Sequence, residues 1–481
     1  MIAKNLKIFL GNYKYEILSF FVTLVVCSLL FLFNDFKFSN DDQFVNYIYI
    51  NNAVSGHGLV FNIGESVMGY TSPLFLLLGL LFKFILSNLD VQHIISGINV
   101  FLMSLSAVFF YRICKKFVST KFSLFSVLVF ALILARTIPE GMETPLFFLT
   151  VFVFLDALLS QRYYISSVFL ALAILTRPDA GLIAVLALIF WWQKVGLQKT
   201  IKLVTVCIAV ALPWLIFATF YYGSFIPQSI LAKMDVVTGL SGQSSLQAFK
   251  VQLSDMSRIY WGKIFDPDNI KLQVIFNLLP LLVVVFLGIK KYLSKDNWII
   301  FAIPFLYFIA ISLANPFMFV WYLSQIEPFW VLMFLLGFFY LISFVKNYWL
   351  RSVAALLIIA GPLYWWIGKV VIEQKSEGSY VQIGEYLKDN ISSGDKVGTN
   401  AVGIIGFLTG AYIFDFYGLM NYDATAFYEI KEYCKETAFS YTMPSNLIIY
   451  AKPDWLVATE NELVSCFKGG CGLNLTMNQY I

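Results

Sequence analysis

Apolar runs of about 17 to 21 residues recur from Tyr15 to Val371, and each, wound as a helix, is long enough to cross a hydrocarbon core of roughly 30 Å. No soluble core absorbs so much apolar side chain: 59% of the 481 residues are apolar and 13% are charged, about half the charged share of a soluble domain. Lipid offers no partner to backbone N–H and C=O groups, so such runs must be helices rather than open sheet. The expectation is an all-α polytopic membrane protein. The first run, Ile17 to Phe33, follows Lys4, Lys7 and Lys14 and lacks a small-residue cleavage site, so it reads as a retained span.

The net charge is only +4, and the cations sit at span ends rather than in one patch, which argues against nucleic acid as a partner. Their placement instead sets the topology. If the stretch Pro73 to Leu86 crossed the bilayer, the cluster Arg112, Lys115, Lys116 and Lys121 would face outward. So would Arg162, then Lys194 with Lys199 and Lys202, then Lys290, Lys291 and Lys295, then Lys346 and Arg351. With 73–86 lying on the outer surface as an interfacial helix, all of them become cytoplasmic, as the positive-inside rule requires.

The spans are then 17–33, 94–111, 122–137, 145–160, 164–176, 180–193, 201–221, 272–289, 297–314, 322–344 and 351–370, about eleven crossings. The arms 164–176 and 180–193 are short for the core thickness, so the tip between them, Thr176-Arg177-Pro178-Asp179, should be sunk below the outer surface. Residues 1–371 form the expected membrane domain, with outer loops 34–93 and 222–271. Residues 372–481 form a polar extracytoplasmic tail that reads as a small α/β domain: a helix from Gly378 to Lys388, then strand-like pieces at Lys396 to Thr399, Ala411 to Phe416 and Trp455 to Ala458, with a Gly-rich stretch through Gly410. Cys27, Cys114 and Cys207 are packing residues in or beside spans, whereas Cys466 and Cys471 close a tight polar loop that suits a disulfide outside the cytoplasm.

Three polar constellations share the outer face. The first loop carries Asn40-Asp41-Asp42, then Ser55 to Asn62 with His57, then Gly69-Tyr70-Thr71-Ser72-Pro73. Adjacent carboxylates above a span can act as a general base, hold a divalent metal, or simply cap a helix. The second loop carries Glu140 and Glu143, which can bind substrate or close the loop. The sunken tip carries Arg177 and Asp179. An arginine at membrane depth faces a polar cavity, and its planar fork suits either a phosphate or a pair with Asp179, Glu140 or Glu143. His57, between two glycines, is a base or a turn residue. Trp321 and Tyr322, at the outer start of a span, either stack on a sugar or prenyl chain or belong to the interfacial belt. With His57 and His93 the only histidines, a His-rich zinc site is not expected.

Together these residues resemble the GT-C superfamily of membrane glycosyltransferases, which use polyprenyl-phosphate sugars as donors. The first loop is most similar to the arabinofuranosyltransferase-like branch through Asp41-Asp42, Gly56 to Asn62 and Gly69 to Leu74. Glu143-Thr144-Pro145-Leu146, Thr176 to Asp179 and Trp321-Tyr322 are similar to shorter signatures, and Asp415-Phe416-Tyr417-Gly418-Leu419 extends the likeness into the tail. The resemblance implies that Asp41 is the catalytic aspartate. Where other branches carry Glu after it, this chain has Asp42.

The function so implied is inverting transfer of a sugar from a polyprenyl-phosphate donor to a cell-envelope glycan, lipid or protein, on the periplasmic or extracytoplasmic side of a bacterial inner (plasma) membrane. Asp41 would act as general base with Asp42 beside it, Arg177 would bind the donor phosphate, and His57, Glu140, Glu143, Asp179, Trp321 and Tyr322 would bind substrate. Membrane lipid is the other partner. A divalent metal is allowed but not required, and no other cofactor is expected. The rival is a transporter or flippase of a lipid-linked saccharide, against which stand the gathering of carboxylates on one face and the lack of an internal repeat.

Overall fold

The computed structural model describes residues 11–33, 41–138, 140–234, 279–314, 323–372, 379–427 and 445–458. Trp321, Tyr322, Cys466, Cys471 and most of the 222–271 loop lie outside the described residues.

The membrane part is a helical bundle. Helix α1 (Lys14–Phe33) leads to α2 (Asp41–Val54) and α3 (Pro73–Ile85). Then follow α4 (Val91–Lys115), α5 (Thr120–Leu134), α6 (Thr144–Leu159), α7 (Tyr163–Thr176) and α8 (Gly181–Tyr222). Beyond the short α9 (Gln228–Ala232) come α10 (Leu279–Tyr292), α11 (Trp298–Ala314), α12 (Glu327–Ser343) and α13 (Tyr348–Ile372). Prolines at the first turns of α3, α6 and α12 start those helices where a missing N–H costs nothing. Among the described residues, three helical stretches are long and apolar enough to cross a membrane, Val91–Lys115, Thr120–Thr137 and Pro178–Tyr222, and shorter apolar helices pack among them. The expected spans 180–193 and 201–221 are two helices that meet at Gly196, whose backbone leaves helical geometry, and α8 covers both.

Helix α3 has 13 residues, a length of about 20 Å that falls short of a bilayer core. It buries Phe75 and Leu76 against the rest of the molecule and exposes Leu77, Leu81, Phe84 and Ile85, the pattern of a helix lying at an interface. The basic clusters meet as the topology requires. Asp156, buried at the end of α6, takes Arg112 at 3.1 Å, Arg162 at 2.8 Å and Lys116 at 3.9 Å, so the ends of α4, α6 and α7 share one side.

The tail contributes α14 (Ser379–Asn390), β1 (Lys396–Thr399), α15 (Val402–Thr409), β2 (Tyr412–Asp415), α16 (Ser445–Ala451) and β3 (Trp455–Val457). The strands form a parallel sheet in the order β2-β1-β3, with Val397 opposite both Ile413 and Trp455. Strands thus occur where the sequence placed them, and the Gly-rich stretch before Gly410, to which the sequence assigned no element, is the helix α15. The tail does not stand apart from the membrane part. One apolar core joins Phe44, Tyr47 and Ile50 of α2 to Val402, Ile405 and Ile413 of the tail.

Candidate active site

Asp41 opens α2, with Asp42 beside it in the first turn. Its carboxylate receives two backbone N–H groups from the start of α15: Ile404 N donates to Oδ1 at 2.7 Å and Gly403 N donates to Oδ2 at 3.1 Å. A side chain at position 403 would overlap the Asp41 carbonyl oxygen, so only glycine permits this approach. Burial is the largest influence on Asp41 and pushes its pKa up to about 7; the Ile404 amide opposes it, the charge of Asp42 adds to it, the Gly403 amide opposes it, and Asp415 adds to it. The result is a carboxylate that exchanges its proton near neutrality.

Asp415 ends β2 and is buried. It accepts N–H groups from Tyr417 at 2.8 Å, Leu419 at 2.6 Å and Met420 at 2.9 Å, which folds the 415–420 turn around it. Burial again dominates and raises its pKa to about 6 against the pull of those amides. The sequence singled out this segment only as a weak likeness; its part in the site shows in its field on Asp41.

The second outer loop reaches the same place. A side chain at Gly141, which has φ +60°, would collide with Gln43 and Tyr47 of α2, so the loop lies flat on that helix. Asn99 of α4 holds the next residue by donating Nδ2 to the Met142 carbonyl at 3.1 Å. Glu143, buried, pairs with Arg177. Arg177 also donates Nε and Nη2 to Asp179, at 3.2 to 3.3 Å. Of the two uses of Arg177 that the sequence left open, the ion pair is formed. Nearby, Arg136 pairs with Glu327, a contact the sequence did not suggest, and Glu140 lies in the field of Arg136. The buried Tyr307 hydroxyl, the Gln325 amide and Trp330 Nε1 lack hydrogen-bond partners among the described residues.

His57 is not brought to this site. It is exposed in the turn after α2, and the 14 residues of that helix hold it about 20 Å from Asp41. Its N–H bonds the Asn52 carbonyl at 2.9 Å, a turn contact. Among the described residues no three His, Cys, Asp or Glu side chains gather as a metal set.

Residues 369–480 match a family described as a domain of unknown function, DUF8728. No curated protein matches the chain. Solved structures share its fold. ArnT from Cupriavidus metallidurans bound to undecaprenyl phosphate superposes with a TM-score of 0.58 at 11% identity, over 84% of this chain and 86% of its own. The chain has the GT-C fold. The same ArnT in the apo state gives 0.56 at 11% identity with the same coverage. Archaeal oligosaccharyltransferase AglB from Archaeoglobus fulgidus, in complex with an inhibitory peptide and a dolichol-phosphate, gives 0.54 at 10% identity over 86% of this chain and 65% of its own. At these identities the GT-C likeness is one of fold.

Proposed function

We propose that this chain is an inverting glycosyltransferase of the arabinofuranosyltransferase-like branch, working on the extracytoplasmic face of a bacterial inner membrane. It takes a sugar from a polyprenyl-phosphate donor and adds it to a hydroxyl of a cell-envelope glycan, lipid or protein. The observation that carries the reading is Asp41: a half-buried carboxylate with a proton affinity near neutrality, fixed by two tail amides. Support comes from the fold, whose solved examples include one with undecaprenyl phosphate and one with dolichol-phosphate.

In this mechanism an acceptor hydroxyl gives its proton to Asp41 while its oxygen attacks the anomeric carbon. The bond from that carbon to the phosphate oxygen breaks, and the electron pair leaves with the lipid phosphate. Each carboxylate oxygen of Asp41 uses one lone pair on an amide and keeps another for the incoming proton. Asp42 keeps the proton affinity of Asp41 high. Arg177 serves the donor phosphate by exchanging Asp179 for it: those contacts are longer than ordinary charge-assisted bonds, whereas Glu143 holds the guanidinium in place. Glu140, Trp321 and Tyr322 complete the donor side.

The test is transfer by purified protein from a polyprenyl-phospho-sugar to an envelope acceptor, wild type against Asp41→Asn. The variant should lose a factor of roughly 10²–10⁴, the worth of a general base. Undiminished transfer by the variant would remove Asp41 from the role. No transfer by wild type across a broad donor panel would favour the transporter reading.

A further inference from the structure

A cleft of about 330 Å³ opens where the first outer loop meets the tail, lined by Asn51, Asn52, Phe61 and Ile63 on one side and by Phe407 and Tyr412 on the other. We infer that it is a subsite for an uncharged oligosaccharide, the far end of the acceptor glycan, and this rests on the transferase reading above.

The lining selects the ligand. Amides and aromatic rings line the cleft and no charged side chain does, so it offers nothing to a phosphate or another anion. Asn51 has no side-chain partner among the described residues. Asn52 spends its Nδ2 on the Val60 and Phe61 carbonyls, both at 2.9 Å, which fixes the amide and leaves Oδ1 as an acceptor. Amides with free donors and acceptors match vicinal hydroxyls, and flat rings match the C–H face of a sugar. Tyr412 is held as a wall because its hydroxyl donates to Glu65 at 2.6 Å.

Two other occupants fit poorly. A peptide would naturally add to the edge strand β2, but the Asn62 side chain already takes both backbone groups of Ile413, donating to its carbonyl at 2.9 Å and accepting its N–H at 3.0 Å. That edge is closed to strand addition. A prenyl chain would leave the Asn51 amide and the Asn52 Oδ1 without partners.

Position gives the length. Asp41 and Asn51 lie on the same helix, ten residues apart, and a rise of 1.5 Å per residue separates them by about 15 Å. Phe407, which lines the cleft, packs on Phe44 at 5.1 Å, so the wall is continuous between the two points. A ligand that touches both places is longer than one sugar.

The experiment uses the full chain in detergent on an array of neutral and acidic oligosaccharides of several lengths, beside an array of peptides. Wild type should bind neutral oligosaccharides, and Asn51→Leu and Ile63→Trp should each weaken that binding at least tenfold. The first removes an unpartnered amide; the second narrows the mouth from a position 62% exposed, where folding is not at stake. Saccharide binding that both cleft variants leave intact, capture of peptides alone, or no binding at all would overturn the subsite. If cleft-dependent binding appears in a protein that transfers nothing, the transferase reading falls and the subsite stands; if transfer proceeds with an unchanged acceptor KM in both variants, the subsite falls alone.

Discussion

Asp41 and Asp42 are chemically alike, and their adjacency does not say which one works. The tail distinguishes them, by placing two N–H donors on the oxygens of the first. A base must be deprotonated, and the pKa of Asp41 stands near 7 rather than at the ordinary carboxylate value. kcat/KM should therefore rise with pH through about 7 and level off above it. Gly403→Ala should push the amides away; since they hold the pKa down, the acid limb should move to higher pH as the plateau falls. A limb left in place would mean that the amides do not tune the base. Arg177 offers a second test at this scale. If donor phosphate displaces Asp179, Asp179→Asn should lower the donor KM and leave the acceptor KM alone, while Arg177→Ala should raise the donor KM. A donor KM unmoved by either change would leave Arg177 a structural pair with Glu143 and Asp179. The motif around Asp41 was readable in the sequence. Its amide partners were not, because they lie some 360 residues away and carry no side-chain signature.

The elements divide in the same way between what periodicity reveals and what packing imposes. The three strands and most long helices follow from alternation and apolar runs, and those need only local residues. Helix α15 was hidden by Gly403 and Gly406, since a glycine inside a helix costs about 1 kcal/mol against alanine. Packing overrides that cost. Gly403 admits the Asp41 backbone, and a side chain at Gly406 would crowd Ile48, Ile413 and Phe61. Phe407 then stacks near Phe44 and Tyr47, at 5.1 and 5.9 Å, contacts worth about 0.5–1.5 kcal/mol each beyond their buried area. Asn62 makes the matching bond to β2. In Asn62→Ala, two buried backbone groups of Ile413 lose their partner, which should cost about 2–4 kcal/mol. The expected result is a lower melting temperature and faster proteolysis of the tail, with α1 to α8 still protected. Melting and proteolysis equal to wild type would show that the edge finds other partners.

For the whole molecule, the decisive quantity is the side of the membrane on which α2, the sunken tip and the tail stand together. Hydrophobicity alone counts 73–86 as a crossing, and that reading would turn every later basic cluster outward. The fold argues the other way. Helix α3 buries Phe75 and Leu76 and exposes Leu81, Phe84 and Ile85, the pattern of a helix lying at an interface, and Arg112, Lys116 and Arg162, from separate clusters, converge on Asp156, so those clusters share one side. One end of α4, α6 and α7 is thereby cationic, while the start of α6 and the end of α7 join through Glu143 and Arg177. Single cysteines introduced at Asn88 and Gln92 in a cysteine-free background test it with a membrane-impermeant reagent on intact cells. Both should label as a cysteine at Ser55 does, whereas one at Lys115 should label only after the membrane is opened. Labelling of Asn88 or Gln92 from the cytoplasmic side alone would make α3 a crossing. Asp41 would then stand on the side opposite Arg177, and no single site could use both.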